Sequence, residues 1–410
     1  MLATGAAFAR GNHRVSEIAI CGAGVGGLML AARLAQMGRK PILFEARSET
    51  ATTSEGVFLT LASNGMNGLR TIGCYEAVRA SGIATTGIEI RNAKGKRLAF
   101  AAQSDHEAGF GAPSVTVRRG RLAEILLAKA RAAGVDTRFD AQVSDVTTSP
   151  DGVGVRLQFK DGITHDFGIL VAADGLGSTV HNVVFQGYPK PHFTGLIGTG
   201  GITNAPVPDT GGIMRMTFGN NAFFGYLKAE GQPVYWFNSY TGRAGENGKV
   251  TDPVGYAKEI LALHADDPIP NAIILEHVDR VERSYPVYDM PKLPCWHDGR
   301  VVLIGDAAHA VGPHAGQGAS MAIEDALVLA ASLDAEQSSE AAFRRFEKLR
   351  RERIDQVVKL TARNSSQKRA SGRLSLLIRD LILPFLIPHG IKMGRELMRY
   401  RVDMTPLEQQ

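Results

Sequence analysis

Gly22-Ala23-Gly24-Val25-Gly26-Gly27 is a segment whose residue types and spacing can do chemistry. It fits G-x-G-x-x-G, with Gly22, Gly24 and Gly27 in the required places and Gly26 as a further glycine among them. The first glycine permits a tight turn. The second lets backbone approach a pyrophosphate, and the third lets a helix pack on a strand. A helix starting there points unspent N–H groups and a positive dipole end at the phosphates. Glu45 follows 23 residues after Gly22, where a carboxylate can accept both ribose hydroxyls of an adenosine, and Arg47 stands close behind it. A chance glycine-rich turn is the bland alternative; it does not account for strand, helix and acid together. The fingerprint alone does not separate FAD from NAD.

A second constellation favours FAD. Gly305-Asp306-Ala307-Ala308-His309 is followed by Pro313 and by Gly316-Gln317-Gly318. An aspartate at a strand end can accept from a polyol such as ribityl. Glycines opening a helix place N–H groups where negative charge on a flavin N1–O2 edge is stabilised. A plain strand-loop-helix crossover would not require Asp306, Pro313 and the glycine pair together. His309 and His314 have no carboxylate or cysteine partners at metal spacing, so no metal site is expected. His309 is expected to orient the loop, and His314 to face the pocket as a proton relay.

These loops need elements to hold them. Ile18 to Cys21 reads as a buried strand, Val25 to Met37 as a helix closed by Gly38, and Pro41 to Phe44 as a second strand, a βαβ start. Further α/β texture runs through the amphipathic helix Gly120 to Ala133 and the strands Val135 to Phe139, Ile169 to Ala173 and Arg300 to Ile304. It ends in a helix from Gly318 to Leu333. Gly87 to Phe100 reads as a hairpin turning at Asn92 to Gly95. Between Tyr188 and Ser284, short aromatic and β-branched runs alternate with Gly, Asn and Pro turns, the pattern of an antiparallel sheet. Alternate strand residues share a face, so Phe224 lies with Tyr226 and Tyr235 with Phe237; one such face should cover the flavin. Arg215 or Tyr226 can bind a carboxylate or phenolate there, against the bland reading of sheet core or solvated arginine.

The expected fold class is therefore α/β: a Rossmann-like FAD/NAD(P)-binding domain, an inserted antiparallel-sheet substrate domain and C-terminal helices. The boundaries are a leader over 1–14, a discontinuous FAD domain over 15–84, 112–187 and 285–340, a substrate domain over 85–111 and 188–284, and a helical region over 341–410. Composition agrees. A chain of 410 residues suggests about two domains. With 44% hydrophobic and 21% charged residues it has an ordinary globular composition. Three cysteines, none in a C-x-x-C pair, exclude a disulfide framework and point to a reduced, cytoplasmic setting. The net charge of +5 hides an uneven spread: residues 341–410 hold 16 Lys and Arg against 7 Asp and Glu. No nucleic-acid partner is expected. The leucine- and isoleucine-rich run Leu374 to Leu386, broken by Pro384 and Pro388, is expected to dock on the flavin domain, with a membrane surface as the alternative.

Together, Gly-Asp-Ala-Ala-His, the downstream Pro and Gly-Gln-Gly, and Ala322-Ile323-Glu324-Asp325-Ala326 resemble the group A flavoprotein monooxygenases, aromatic hydroxylases with a para-hydroxybenzoate hydroxylase-like fold. A third family motif runs from Asp166 through Val171-Ala172-Ala173-Asp174-Gly175 to Ser178 and Val180; the family usually has arginine next, and this chain has His181. The resemblance runs from about Glu17 to Asn364. It implies that Gly22, Gly24, Gly26 and Gly27 hold the FAD pyrophosphate and Glu45 the ribose. Arg119 and Thr60 would contact the flavin, and Val143 would touch adenine through backbone. Asp174 and Gly175 would serve both FAD and NAD(P)H. Asp306 would bind the ribityl or pyrophosphate region, and Gly316, Gln317 and Gly318 would line the ring. The implied reaction uses NAD(P)H and O2 through a C4a-hydroperoxyflavin to hydroxylate a small aromatic or heteroaromatic substrate, in a monomer or homodimer. The rivals are a flavin-dependent oxidoreductase or halogenase, or a non-catalytic FAD-fold binding protein. The halogenase W-x-W-x-I-P motif is absent, since Trp236 and Trp296 are the only tryptophans.

Overall fold

The computed structural model describes residues 18–54, 56–243, 248, 250–313, 316–367 and 373–402. Ile18–Cys21 is buried along its whole length, as a central parallel strand covered on both faces should be. It pairs in parallel with Ile169–Ala172 on one side and Ile42–Phe44 on the other. Val301–Leu303 and Asp136–Arg138 extend this sheet in parallel, and His297–Asp298 closes it antiparallel as the sixth strand. The helices Val25–Gln36 and Gly318–Ala335 pack on each other against it.

The inserted sheet has seven strands. Its order is Tyr285–Asp289, His192–Thr203, Val234–Thr241, Ala222–Leu227, Ile213–Phe218, Gly87–Asn92 and Arg97–Ala102. The strands 87–92 and 97–102 form the expected hairpin. The sheet is not wholly antiparallel: Gly87–Asn92 runs parallel to Ile213–Phe218, two strands more than a hundred residues apart in the chain. Tyr285–Asp289 belongs to this sheet, so the chain leaves it after residue 289 rather than at 285.

Two further three-stranded sheets were not read from the sequence. One is Thr164–Phe167, Val155–Phe159 and Val143–Thr148; the other is Phe58–Leu61, Ser114–Arg118 and Ile83–Thr85. Two long helices follow, Ser339–Gln367 and Arg373–Arg399. Pro384 and Pro388 lie within the second and do not end it. Each removes one backbone donor, but Leu383 and Ile387 are buried against the seven-stranded sheet and hold the helix there. This helix packs on the strand Arg97–Ala102 and the helices Ser63–Arg70 and Ser339–Gln367, so the expected docking on the flavin domain alone is too narrow. Among the described residues no helix is long and apolar enough to cross a membrane.

Candidate functional site

Three loops leave the carboxyl ends of neighbouring parallel strands. The glycine loop follows Ile18–Cys21, the Asp174-Gly175 turn follows Ile169–Ala172, and Gly305-Asp306 follows Val301–Leu303. That end of an open α/β sheet is where ligands bind. Packing brings the loops together. A Cβ on Gly22, whose φ is +103°, would lie 2.3 Å from the Ala173 carbonyl oxygen. One on Gly26 would lie 3.3 Å from the Ala322 Cβ and 3.7 Å from Ile304. Gly27 could not hold one at all, since it would fall 1.9 Å from the Gly22 oxygen. Gly24 differs: an added Cβ meets no atom within 4 Å. Its lack of a side chain is not needed by the protein's own packing, which suits backbone kept bare for a pyrophosphate.

Glu45 is buried, and its carboxylate holds the glycine loop in shape. Oε2 accepts from the Ala23 N–H at 2.7 Å, and Oε1 accepts from the backbone N–H and Nε of Arg47, each at 3.0 Å. Oε2, with a single donor, keeps lone-pair capacity toward a ribose. Ala141 donates its N–H to the Glu45 carbonyl, which brings the chain leading to Val143 beside this acid. Val143 itself is buried at the start of its strand.

Asp306 opens the short helix Asp306–His309 and is exposed, yet cleft walls crowd it. That loss of hydration pushes its carboxyl above the ordinary carboxylate range; His309 and Arg119 pull it down and Asp325 adds to the rise. Arg119 thus reaches Asp306 electrostatically from the start of the helix Arg119–Ala132. Among the described residues its exposed guanidinium has no hydrogen-bond partner, so it is available to a ligand. Asp174 accepts from the Val180 N–H at 3.3 Å. Its burial raises its carboxyl, against the Ser178 hydroxyl and the Val180 N–H. Gly175 takes φ +79° at the turn. His181, in the place of the family arginine, is buried, and Ser178 Oγ caps its backbone N–H at 2.8 Å.

Around the third loop, Gly316 (φ +61°) and Pro313 are exposed, and the Gly316 N–H donates to the Pro313 carbonyl at 3.2 Å. Gln317 is buried. Its Oε1 accepts from Asn64 at 2.9 Å, while its Nε2 has no partner among the described residues. Gly318 starts the helix Gly318–Ala335, whose first-turn N–H groups are unspent within the helix. His314 lies outside the described residues. Bare backbone at Gly24, an exposed acid in a cleft, a free guanidinium and an orphaned buried amide fit a long, anionic, polyol-containing ligand such as FAD.

The sequence reading missed what holds this third loop. Asp325 Oδ2 accepts from the Gly305 N–H at 2.9 Å and meets His309 Nε2 at 2.6 Å, and Oδ1 accepts from Arg350 Nε at 2.7 Å. Burial alone would raise the Asp325 carboxyl, but His309 and Arg350 outweigh it and hold it well below the usual range. Glu324 bonds Asn64 at 2.6 Å and pairs with Arg350 and Arg353. Two acids inside an otherwise apolar helix were the available signal. The other cluster of metal-type ligands, Cys295, His297 and Glu347, lies elsewhere; Glu347 there is engaged by Arg351, the Trp296 N–H and Cys295.

Three expected contact residues engage the protein itself. Arg215 and Tyr226 bond each other at 3.3 Å on the outer face of the seven-stranded sheet; Tyr226 packs there with Phe224, Trp236 and the helices Pro253–Leu263 and Ile269–Glu276. The alternate face meets a different layer. Met214, Met216, Tyr235 and Phe237 meet Phe58 there, with the Phe58 ring edge-on to Tyr235 at 5.3 Å. The Thr60 hydroxyl bonds the Thr116 hydroxyl at 2.7 Å, inside its own small sheet.

The FAD binding domain family matches residues 15–364. Aurachin C monooxygenase/isomerase of Stigmatella aurantiaca is 32% identical, over 83% of this chain and 86% of that protein. 6-Hydroxynicotinate 3-monooxygenase of Bordetella bronchiseptica is 29% identical, over 85% and 91%. Klebsiella pneumoniae HpxO, solved with FAD and uric acid, superposes with a TM-score of 0.81 at 21% identity, over 93% of this chain and 97% of that one, a likeness of fold. Fingerprint, loop convergence and a family match over most of the length agree: the chain belongs to the FAD binding domain family, as a flavoprotein of the group A monooxygenase type.

Proposed function

We propose that the protein hydroxylates a small aromatic or heteroaromatic compound, using FAD, NAD(P)H and O2. The observation that carries this is the meeting of three loops at the carboxyl ends of adjacent parallel strands. The monooxygenases among its relatives support the class. Bound FAD supplies the redox chemistry, passing an electron pair from NAD(P)H to O2 so that one oxygen atom enters the ring and the other leaves as water. The chain's own residues do the rest. The glycine loop and Glu45 hold the adenosine and pyrophosphate. Asp306 and Arg119 take the polyol and phosphate region. Pro313, Gly316, Gln317 and Gly318 flank the ring, and His314 is assigned to proton relay. Phe58, Tyr235 and Phe237 orient a flat substrate and keep water out. We assign 85–111 and 188–289 to the substrate region. The free cysteines suit a cytoplasmic enzyme, acting as monomer or homodimer.

The test is direct. Purified protein should absorb near roughly 450 nm and release FAD on denaturation. Screened aromatic compounds should speed NAD(P)H oxidation with a matching oxygenated product. Protein that FAD does not reconstitute, or oxidation that never yields such a product, overturns the assignment. Asp306→Ala should keep its fold and lose FAD; unchanged FAD affinity would refute the role given to Asp306.

A further inference from the structure

The outer face of the helix Arg373–Arg399 has no protein cover among the described residues. Of thirteen exposed large apolar side chains, five fall within nine consecutive residues of this helix: Ile378, Leu381, Ile382, Phe385 and Leu386. Their i, i+3, i+4, i+7, i+8 spacing puts them on one stripe. Phe385 is 79% exposed and Leu381 71%. The opposite stripe is buried, with Leu383 and Ile387 against Phe218 and Phe223 of the seven-stranded sheet. The helix is therefore fixed in place by one face while presenting an apolar ridge with the other. Scattered apolar residues on a surface need no explanation, but a contiguous ridge of this kind marks an interaction site.

Charge indicates what meets it. Residues 359–399 contain nine Lys and Arg against two acids. Lys359 and Lys392 are exposed, and Arg363, from the neighbouring helix, is tied to the Leu386 carbonyl at the edge of the ridge. A second copy of the chain docked on this ridge would bring two such basic segments face to face. An anionic lipid surface would instead neutralise them while burying the ridge. No described helix can cross a membrane.

We propose that this helix lies on an anionic lipid surface, with Leu381 and Phe385 entering the headgroup boundary and Lys359 and Lys392 beside the headgroups. The proposal does not rest on the hydroxylase assignment.

Intact, FAD-loaded protein would be sedimented with vesicles of phosphatidylcholine alone and of phosphatidylcholine with phosphatidylglycerol. We expect binding to the anionic vesicles, weakened by added salt. The double variant Leu381→Asp/Phe385→Asp should lose about tenfold or more of that binding. Both side chains face solvent, so its FAD content and melting temperature should match the parent's. Lys359→Glu/Lys392→Glu supplies a second variant and should also weaken binding. Wild-type protein that ignores anionic vesicles, or binds neutral ones equally, overturns the proposal. So does unchanged binding by the double variants, or light scattering that finds a dimer which Leu381→Asp/Phe385→Asp splits.

Discussion

At Gly24 an added methyl group meets nothing of the protein, whereas at Gly27 it falls on the Gly22 carbonyl. Gly24 also sits at φ −73°, which any residue adopts. Gly24→Ala should therefore leave the melting temperature of the FAD-free protein nearly unchanged while weakening FAD by about tenfold or more in a fluorescence titration. Gly27→Ala should instead fail to accumulate as folded protein. Equal behaviour of the two would refute the separate roles assigned to them. These glycines were legible because spacing alone defines what each must do. Arg215 and Tyr226 were not. Strand alternation says which residues share a face, but not which face meets the rest of the molecule. The helices 253–263 and 269–276 took the face with Tyr226, leaving Tyr235 and Phe237 for the side of Phe58.

Between elements, buried charge does the positioning. Arg350 is fully buried and pairs with both Glu324 and Asp325, linking the helix Ser339–Gln367 to the loop before Asp306. Replacing it with methionine leaves Asp325 with His309 and Glu324 with Arg353, each one cation short, and should cost ~3–5 kcal/mol in urea unfolding. A second tie is pH-sensitive. His106 is buried, stacks on Phe110, and lies 3.3 Å from Arg395 of the C-terminal helix. Burial, aided by Arg395 and opposed by Asp105, pushes its imidazole from 6.5 to about 4. Its folded value is the lower one, so the unfolded chain takes up the proton first. Stability should fall as pH drops from 6.5 toward 4. His106→Gln should reduce that fall when melting is followed across the window. An equally steep fall in the variant would exclude His106 as its source. The sequence made a helical region over 341–410 legible but not these ties, since partners such as His106 and Arg395 stand 289 residues apart.

For the molecule as a whole, the four central strands of the main α/β sheet were legible because they are short apolar runs leading to glycine or acid, whereas the polar pair His297–Asp298 was not. The 143–167 sheet was not, because Thr164–Phe167 and Val143–Thr148 are largely polar and half-exposed. Phe237 lies where the whole assembly meets, touching the layer around Phe58 and the layer closed by the C-terminal helix. Phe237→Ala should therefore raise KM for the aromatic substrate and increase NAD(P)H consumed per product, with FAD content unchanged. Normal coupling would remove Phe237 from the substrate face. One consequence of the glycine loop concerns biosynthesis. Gly22 needs the Ala173 backbone against it, and Gly26 needs Ile304 and Ala322. The fingerprint is thus made well before the segments that pack against it. A nascent chain halted after Asp174 has the fingerprint but lacks Asp306 and the helix that backs it, so FAD loading should wait until the helix Gly318–Ala335 has been made.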